Sequence, residues 1–228
     1  MKIIRDLNNV KEFTELSTIV IGNFDGVHLG HQEIIKKCSQ ISSSSRFGIL
    51  TFDPHPRDYF QKELTSFKLT KKEHKYSMLK KLNISFLVEL KFDKNIEILS
   101  PENFVKSILF EKLGAKQIIV GNDFRFGYKR SGDVNTIKSV TKDQNIKLNV
   151  IPVLNDKFGR ISSSRVRELL QNSNMDEARK LLKRSYTFSG KVVRGKGIGK
   201  EIGTPTANLE IDGRKFLPGE GVYAAWAS

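Results

Sequence analysis

Short apolar runs rich in β-branched residues alternate with amphipathic stretches along most of this 228-residue chain. Runs of four to eight apolar residues bounded by Gly, Asn, Asp or Pro read as strands buried on both faces. They predict strands over 18–22, 47–52, 84–90, 117–121 and 148–153. The stretches between and after them predict helices over 29–41, 71–82, 101–113, 133–144, 164–170 and 176–182. Ser100 before Pro101 is a strong helix start, with a capping hydroxyl followed by a proline at the first helical position. Regular strand–helix alternation predicts an α/β fold, a mostly parallel sheet with helices on its faces. The texture changes near Ser185. From Tyr186 to Ser228 the chain is Gly-rich, β-like and without helical period, the beginning of a second, all-β unit joined by a linker over 173–185.

Composition narrows the partners. Lys and Arg number 39 against 25 Asp and Glu, a formal net charge of +14. The lysines are scattered through KKEHK, LKKL, IKK and LLKR as solvated helix faces, so attraction of an anionic small substrate is more economical than nucleic-acid binding. No stretch approaches the roughly 20 apolar residues needed to span a bilayer. The start, MKIIRDLNNV, has no signal-peptide run. A lone Cys38 permits neither an intrachain disulfide nor a cysteine metal cluster. A cytoplasmic protein is the expectation.

In open parallel sheets ligands bind beyond the carboxyl ends of the strands. The segments placed there are GNFDGVHLGH, DPHPRDYF, KFDK, GNDFRFGYKRSGD and, after a short loop, GRISSSRVR. Three of the four histidines, His28, His31 and His55, fall in them. In VIGNFDGVHLGH a strand ends at Gly22 and a helix begins near Leu29. Helix N-termini offer unpaired N–H groups and a positive dipole end to phosphate. Histidines three apart share one side of that first turn and can stabilise charge on a transferring phosphorus. Gly22, Gly26 and Gly30 permit close backbone approach to a ligand. Prolines on both sides of His55 hold it in an extended, N–H-poor loop. Phe124, Phe126 and Tyr128 alternate with polar residues, either to stack on a planar ring or to pack a β-segment into the core. In ISSSRVR, hydroxyls, free N–H groups and a guanidinium at a helix start form an anion cradle.

GNFDGVHLGHQ resembles the signature of the nucleotidylyltransferase superfamily and, more narrowly, of the bifunctional riboflavin kinase/FAD synthetase family. The resemblance implies a Rossmann-like nucleotidyltransferase domain over 1–184, followed over 185–228 by the start of a β-barrel riboflavin kinase-like domain. It implies transfer of AMP from ATP to FMN, giving FAD and pyrophosphate, with magnesium carried on ATP. His28, His31 and Arg167 take catalytic roles. Gly22, Asn23, Phe24, Asp25, Asn122, Asp123, Ser163 and Ser164 take ATP contacts, and His55 and Phe126 flavin contacts. Ser164 stands where the family often has threonine, which keeps the hydroxyl. Arg165 faces elsewhere.

GTPTAN in the tail resembles the riboflavin kinase signature, and by that resemblance Thr206 and Asn208 help bind Mg-ATP. Residues 185–228 are too few for an independent barrel, and the family's kinase glutamate lies further along, so FMN adenylylation is the expected activity rather than riboflavin phosphorylation. Three other readings stay open. One is a sister nucleotidyltransferase acting on another phosphorylated cofactor precursor. Another is a basic nucleic-acid-binding protein. The third is a non-catalytic flavin-binding remnant.

Overall fold

The computed structural model describes residues 1–42, 46–61, 65–142, 144–195, 203 and 206–227. Part of the expected loop at 42–45, residues 196–202, and residues 204 and 205 of the kinase-like signature lie outside them.

Six parallel strands form one sheet: β1 (Lys2–Ile4), β2 (Thr18–Ile21), β3 (Phe47–Asp53), β4 (Phe86–Lys91), β5 (Gln117–Gly121) and β6 (Lys147–Ile151). Their spatial order is β1-β4-β3-β2-β5-β6. The chain winds outward on one side of β2 and then on the other, so the switch point lies between β2 and β5. Thr18 of β2 stands opposite Phe47 on one side and Gln117 on the other.

All four residues of β2 are buried, as a central strand covered on both faces requires. One face holds Ile19, Ile21, Leu50, Val88 and Ile118, packed with Phe104, Leu109 and Ile137. The other holds Val20, Ile49, Leu87 and Ile119, packed against Ile35 and Cys38 of helix α2 (Leu29–Ile41) and Leu79 of helix α4 (Lys72–Lys80). Each such side chain contributes roughly 1.5–3 kcal/mol on burial. A third cluster joins Leu69 and Ile161 to helices α8 (Ser163–Gln171) and α9 (Met175–Leu182).

The predicted core strands and helices are present, with several ends moved by one to three residues. The helix predicted over 101–113 is a short α6 (Pro101–Asn103) that continues as a π-helix, Phe104–Lys112, with Ser100 capping Asn103. Its buried residues, Phe104, Val105, Ile108 and Leu109, line one face. Helix α7 (Val134–Thr141) opens on a capping box of Asp133 and Thr136. Short elements outside the predicted set include β1, α1 (Lys11–Thr14), α3 (Pro56–Phe60) and α5 (Lys94–Glu97). A small hairpin of β7 (Asn155–Asp156) and β8 (Gly159–Arg160) fills the loop before α8. Too few residues in each carry a period.

Beyond α9, β9 (Lys191–Val193) and β10 (Asn208–Glu210) pair antiparallel, as the start of an all-β unit would. The chain then folds back onto the first unit. Phe67 and Lys68 N–H groups donate to Arg214 O at 3.0 and 2.8 Å, and Phe216 N–H donates to Lys68 O at 2.9 Å.

Candidate active site

The loop from Gly22 to His28 leaves β2 at the switch point and delivers two histidines to the N-terminus of α2. His28 occupies the N-cap position but makes no side-chain cap bond. The imidazoles of His28 and His31 stack, with ring centroids 3.7 Å apart and planes 20° apart. Both Nδ1 atoms are buried without a partner among the described residues. Burial pushes the His28 ring down to about 4, helped by Arg160, Arg167 and Arg184. His31 is lowered well below its ordinary value by burial, then by His28, Lys75 and Arg160. Both rings are neutral at pH 7, each with one N–H to donate. Their unpartnered nitrogens sit where a helix N-terminus already favours an anion.

Helix α8 brings a second N-terminus to the same place. The Ser162 hydroxyl caps it, accepting from Arg165 N–H at 3.2 Å. The Ser163 hydroxyl donates to Asp25 O at 2.7 Å, which docks α8 onto the histidine loop. The Ser164 hydroxyl is exposed. The Arg167 guanidinium donates from Nε to Phe67 O at 2.6 Å and from Nη2 to the Asp25 carboxylate. That leaves Nη1 for a ligand. Arg165 pairs instead with Asp156, at 2.7 and 2.9 Å, pointing away as the sequence indicated.

Several predicted contacts have other employment. Asp25 is buried, and besides Arg167 it accepts from Leu69 N–H, from Thr70 N–H and from the Thr70 hydroxyl. Its carboxylate organises protein. The Phe24 ring is 1% exposed, lies 5.1 Å from the His31 ring, and covers Gly22. Asn23 O accepts from the Thr51 hydroxyl at 3.3 Å. A Cβ on Gly30 would stand 3.2 Å from the His28 ring and 3.3 Å from Ile161 O. The close approach seen there is between protein groups.

Asn122 and Asp123 are exposed beyond β5. Asn122 Oδ1 accepts from Val153 N–H at 3.2 Å, and Asp123 pairs with Arg160. Phe126 is 6% exposed, its ring between Phe104 and Phe124 at 5.5 and 5.3 Å. The core-packing alternative describes this ring, and no face of it is left for a flavin. Its half-buried neighbour Phe124 carries the more accessible ring of the two.

His55 keeps the extended backbone expected between its prolines and from there caps α3, with Pro56 at the first helical position and Nδ1 accepting from Arg57 N–H at 3.0 Å. Burial lowers it to about 4. Its ring stands edge-on to Phe67, 5.1 Å away. Beside it a cleft at the carboxyl ends of β2, β3 and β4 is lined by Asn23, Asp53, Lys72, Lys75 and Glu89. Lys72 bridges Asp53 and Glu89 at 2.5 and 2.7 Å. Burial lowers the Lys75 ammonium, opposed by Glu89, Asp25 and Asp53. KKEHK reads in the sequence as a solvated face, and the fold takes Lys72 and Lys75 out of it into the cleft. The signal that separates Lys72 and Lys75 from that face is their three-residue spacing at the start of α4, directly after Thr70.

Arg184 was also missed. It donates to Gly26 O at 2.7 Å and to Leu182 O at 3.1 Å, tying the end of α9 to the histidine loop. Thr206 and Asn208 are exposed, with Asn208 on β10. The described residues contain no cluster of three His, Cys, Asp or Glu able to hold a metal.

A parallel sheet whose central strand delivers a histidine pair to one helix N-terminus, beside a second N-terminus carrying an arginine, defines an α/β nucleotidyltransferase-like protein. The FAD synthetase family model matches residues 10–165, and the riboflavin kinase model matches 182–228. The chain belongs to the FAD synthetase family. It is 36% identical over 228 residues to a bifunctional riboflavin kinase/FMN adenylyltransferase of Buchnera aphidicola from Schizaphis graminum, covering 98% of this chain and 72% of that one. The protein of that name from Escherichia coli K12 is 31% identical over 227 residues, with the same coverage. Among solved structures, one titled a macrolide-efflux protein from Streptococcus pneumoniae superposes with a TM-score of 0.84 at 27% identity, covering 97% of this chain and 72% of that one. Among the described residues no helix is long and apolar enough to cross a membrane. A pantoate-β-alanine ligase from Francisella tularensis, at TM-score 0.52 and 17% identity, covering 80% of this chain and 78% of that one, shares the fold alone.

Proposed function

We propose that this chain is an FMN adenylyltransferase, moving AMP from ATP to FMN. The observation that carries the reading is the stacked, neutral His28–His31 pair at the N-terminus of α2, facing the Arg167-bearing start of α8 in a chain of this family.

A phosphate oxygen of FMN, already anionic at neutral pH, attacks the α-phosphorus of ATP. The bond from that phosphorus to the β-phosphate oxygen breaks, and pyrophosphate leaves with its electron pair. No protein nucleophile is needed, so positioning and charge stabilisation carry the catalysis. His28 and His31 donate N–H bonds to the α-phosphate oxygens as charge gathers there. The first N–H groups of α8, the Ser164 hydroxyl and Arg167 Nη1 hold the β- and γ-phosphates and the departing pyrophosphate. Ser163 contributes its backbone N–H, since its hydroxyl is committed to Asp25 O. On this reading magnesium enters with ATP as part of the substrate. Asn122 and Asp123 border the nucleotide from the β5 side. His55 borders the flavin. Phe124, with the freer ring, takes the stacking place first given to Phe126. A cytoplasmic location goes with this reading.

A second activity, riboflavin phosphorylation, has its own support in the riboflavin kinase model over 182–228. Thr206 and Asn208 would contact its Mg-ATP. We assign 1–184 to adenylyl transfer and 185–228 to the kinase-like unit. The test is incubation with Mg-ATP and either FMN or riboflavin, with chromatographic separation of products. FAD from FMN is the expected result, and its absence under saturating substrate removes the assignment. FMN from riboflavin would establish the second activity in this chain.

A further inference from the structure

Residues 66–70 run as a strap between the two units, and both ends of a chain of contacts meet on it. On one side, Phe67 O accepts from Arg167 Nε at 2.6 Å, and the Leu69 and Thr70 amides donate to Asp25 at 3.0 and 3.2 Å. Asp25 in turn holds Arg167 Nη2. On the other side, the Ser66 hydroxyl donates to Lys215 O at 2.7 Å, and Lys215 Nζ donates to Leu69 O and to the Tyr186 hydroxyl. The Lys215 ammonium also lies over the Tyr186 ring, 3.9 Å from its centroid.

Lys215 is 3% exposed, and Leu69 and Phe67 are 0% and 1% exposed. A buried ammonium is costly unless it is hydrogen-bonded. Burial draws this one down to about 7, opposed by Asp25 and reinforced by Arg184 and Lys71. A residue held at such cost in the second unit, one residue of strap away from the carboxylate that grips Arg167, has more than a local task.

We propose that Lys215 is a positioning residue for adenylyl transfer: by holding Leu69 O it fixes the strap, Asp25 and therefore the guanidinium of Arg167. The second unit thus acts on the first unit's phosphate site without touching substrate. The inference rests on Arg167 contacting ATP as proposed above.

The test uses the full chain with Lys215→Met, Arg167→Ala and the double variant. Lys215→Met is expected to raise the KM for ATP about tenfold, as misplacement of a binding group does, and to leave the KM for FMN within about twofold. The double variant should be no worse than Arg167→Ala, because Lys215 works through Arg167. Additive losses, or an unchanged KM for ATP, overturn the proposal. An Arg167→Ala variant with normal KM and kcat overturns the reading of the site and this inference with it. A harmful Arg167→Ala beside a harmless Lys215→Met overturns this inference alone. Should Lys215→Met not fold, Ser66→Ala loosens the strap's other tie to the second unit, its hydroxyl bond to Lys215 O, more gently. A raised KM for ATP alone then supports the proposal, and no change overturns it.

Discussion

The His28 and His31 rings stack face to face at 3.7 Å with neither Nδ1 hydrogen-bonded within the described residues. Two imidazolium ions could not share that space, since like charges at this separation repel and burial penalises each. The pair is therefore built as two neutral donors awaiting an acceptor. Replacing His31 with Ala should lower kcat by roughly 10²–10³-fold, the usual cost of removing one transition-state donor. Urea unfolding should move little. A His31→Ala protein that is active, or one that is unfolded, would remove the support for this role.

Stability should fall with acid in a definite window. His28 and His55 are each lowered to about 4 from an ordinary 6.5, and His31 is lowered too. The unfolded chain then binds more protons than the folded one between about 4 and 6.5, so stability rises with pH across that range. It is fully present above the unfolded value and lost as pH falls through the window, at about 1.4 kcal/mol per pH unit for each titrating group. Urea midpoints measured from pH 7.5 to 4.5 check this. His28→Gln should show a shallower slope, and an unchanged slope would count against the burial argument.

Asp25 should matter to folding as well as to the placement of Arg167. Asp25→Ala leaves the largely buried Arg167 cation and two buried amides without their acceptor. The expected destabilisation is about 3–5 kcal/mol. Asp25→Asn, which retains one acceptor oxygen, should cost less. Denaturant unfolding of the two variants decides the order.

Gly30→Ala separates helix stability from site geometry. Alanine inside α2 should add up to about 1 kcal/mol by propensity. Its methyl would press on the His28 ring and on Ile161 O, each within 3.3 Å. The combination expected is a melting temperature unchanged or raised, with kcat reduced. Wild-type kinetics in this variant would show that the His28 ring position tolerates displacement.

Phe126→Ala should destabilise by about 3–5 kcal/mol, the usual cost of emptying a buried aromatic site. The KM for FMN should hold wherever the protein stays folded. Phe124→Ala should raise that KM. The reverse pattern would restore Phe126 to the flavin site.

The strands were legible because a sheet covered on both faces demands uninterrupted apolar runs, and TIVI, FGIL and QIIV are such runs. Helix α2 was legible to the residue from its period. The π-helical course of 104–112 was not, since apolar positions there suit either winding. The histidine pair was legible because two titratable rings three apart after a strand have few other uses. The work of Asp25 was hidden, because its partners lie 44 and 142 residues away in sequence. Phe126 shows the same limit: alternation marks an aromatic as facing one way but not toward what.

The order of strands and helices, the phosphate-ready helix starts and the histidine pair were determined by the sequence itself. They depend on local period, capping chemistry and short spacing, all of which a linear chain displays. Only the tertiary structure decided that Lys72 and Lys75 leave the solvated face for a cleft, that Asp25 grips Arg167, and that Lys215 reaches back to Leu69. Those choices depend on which distant groups share a low-dielectric space, where an unpaired charge or amide is too costly to leave alone.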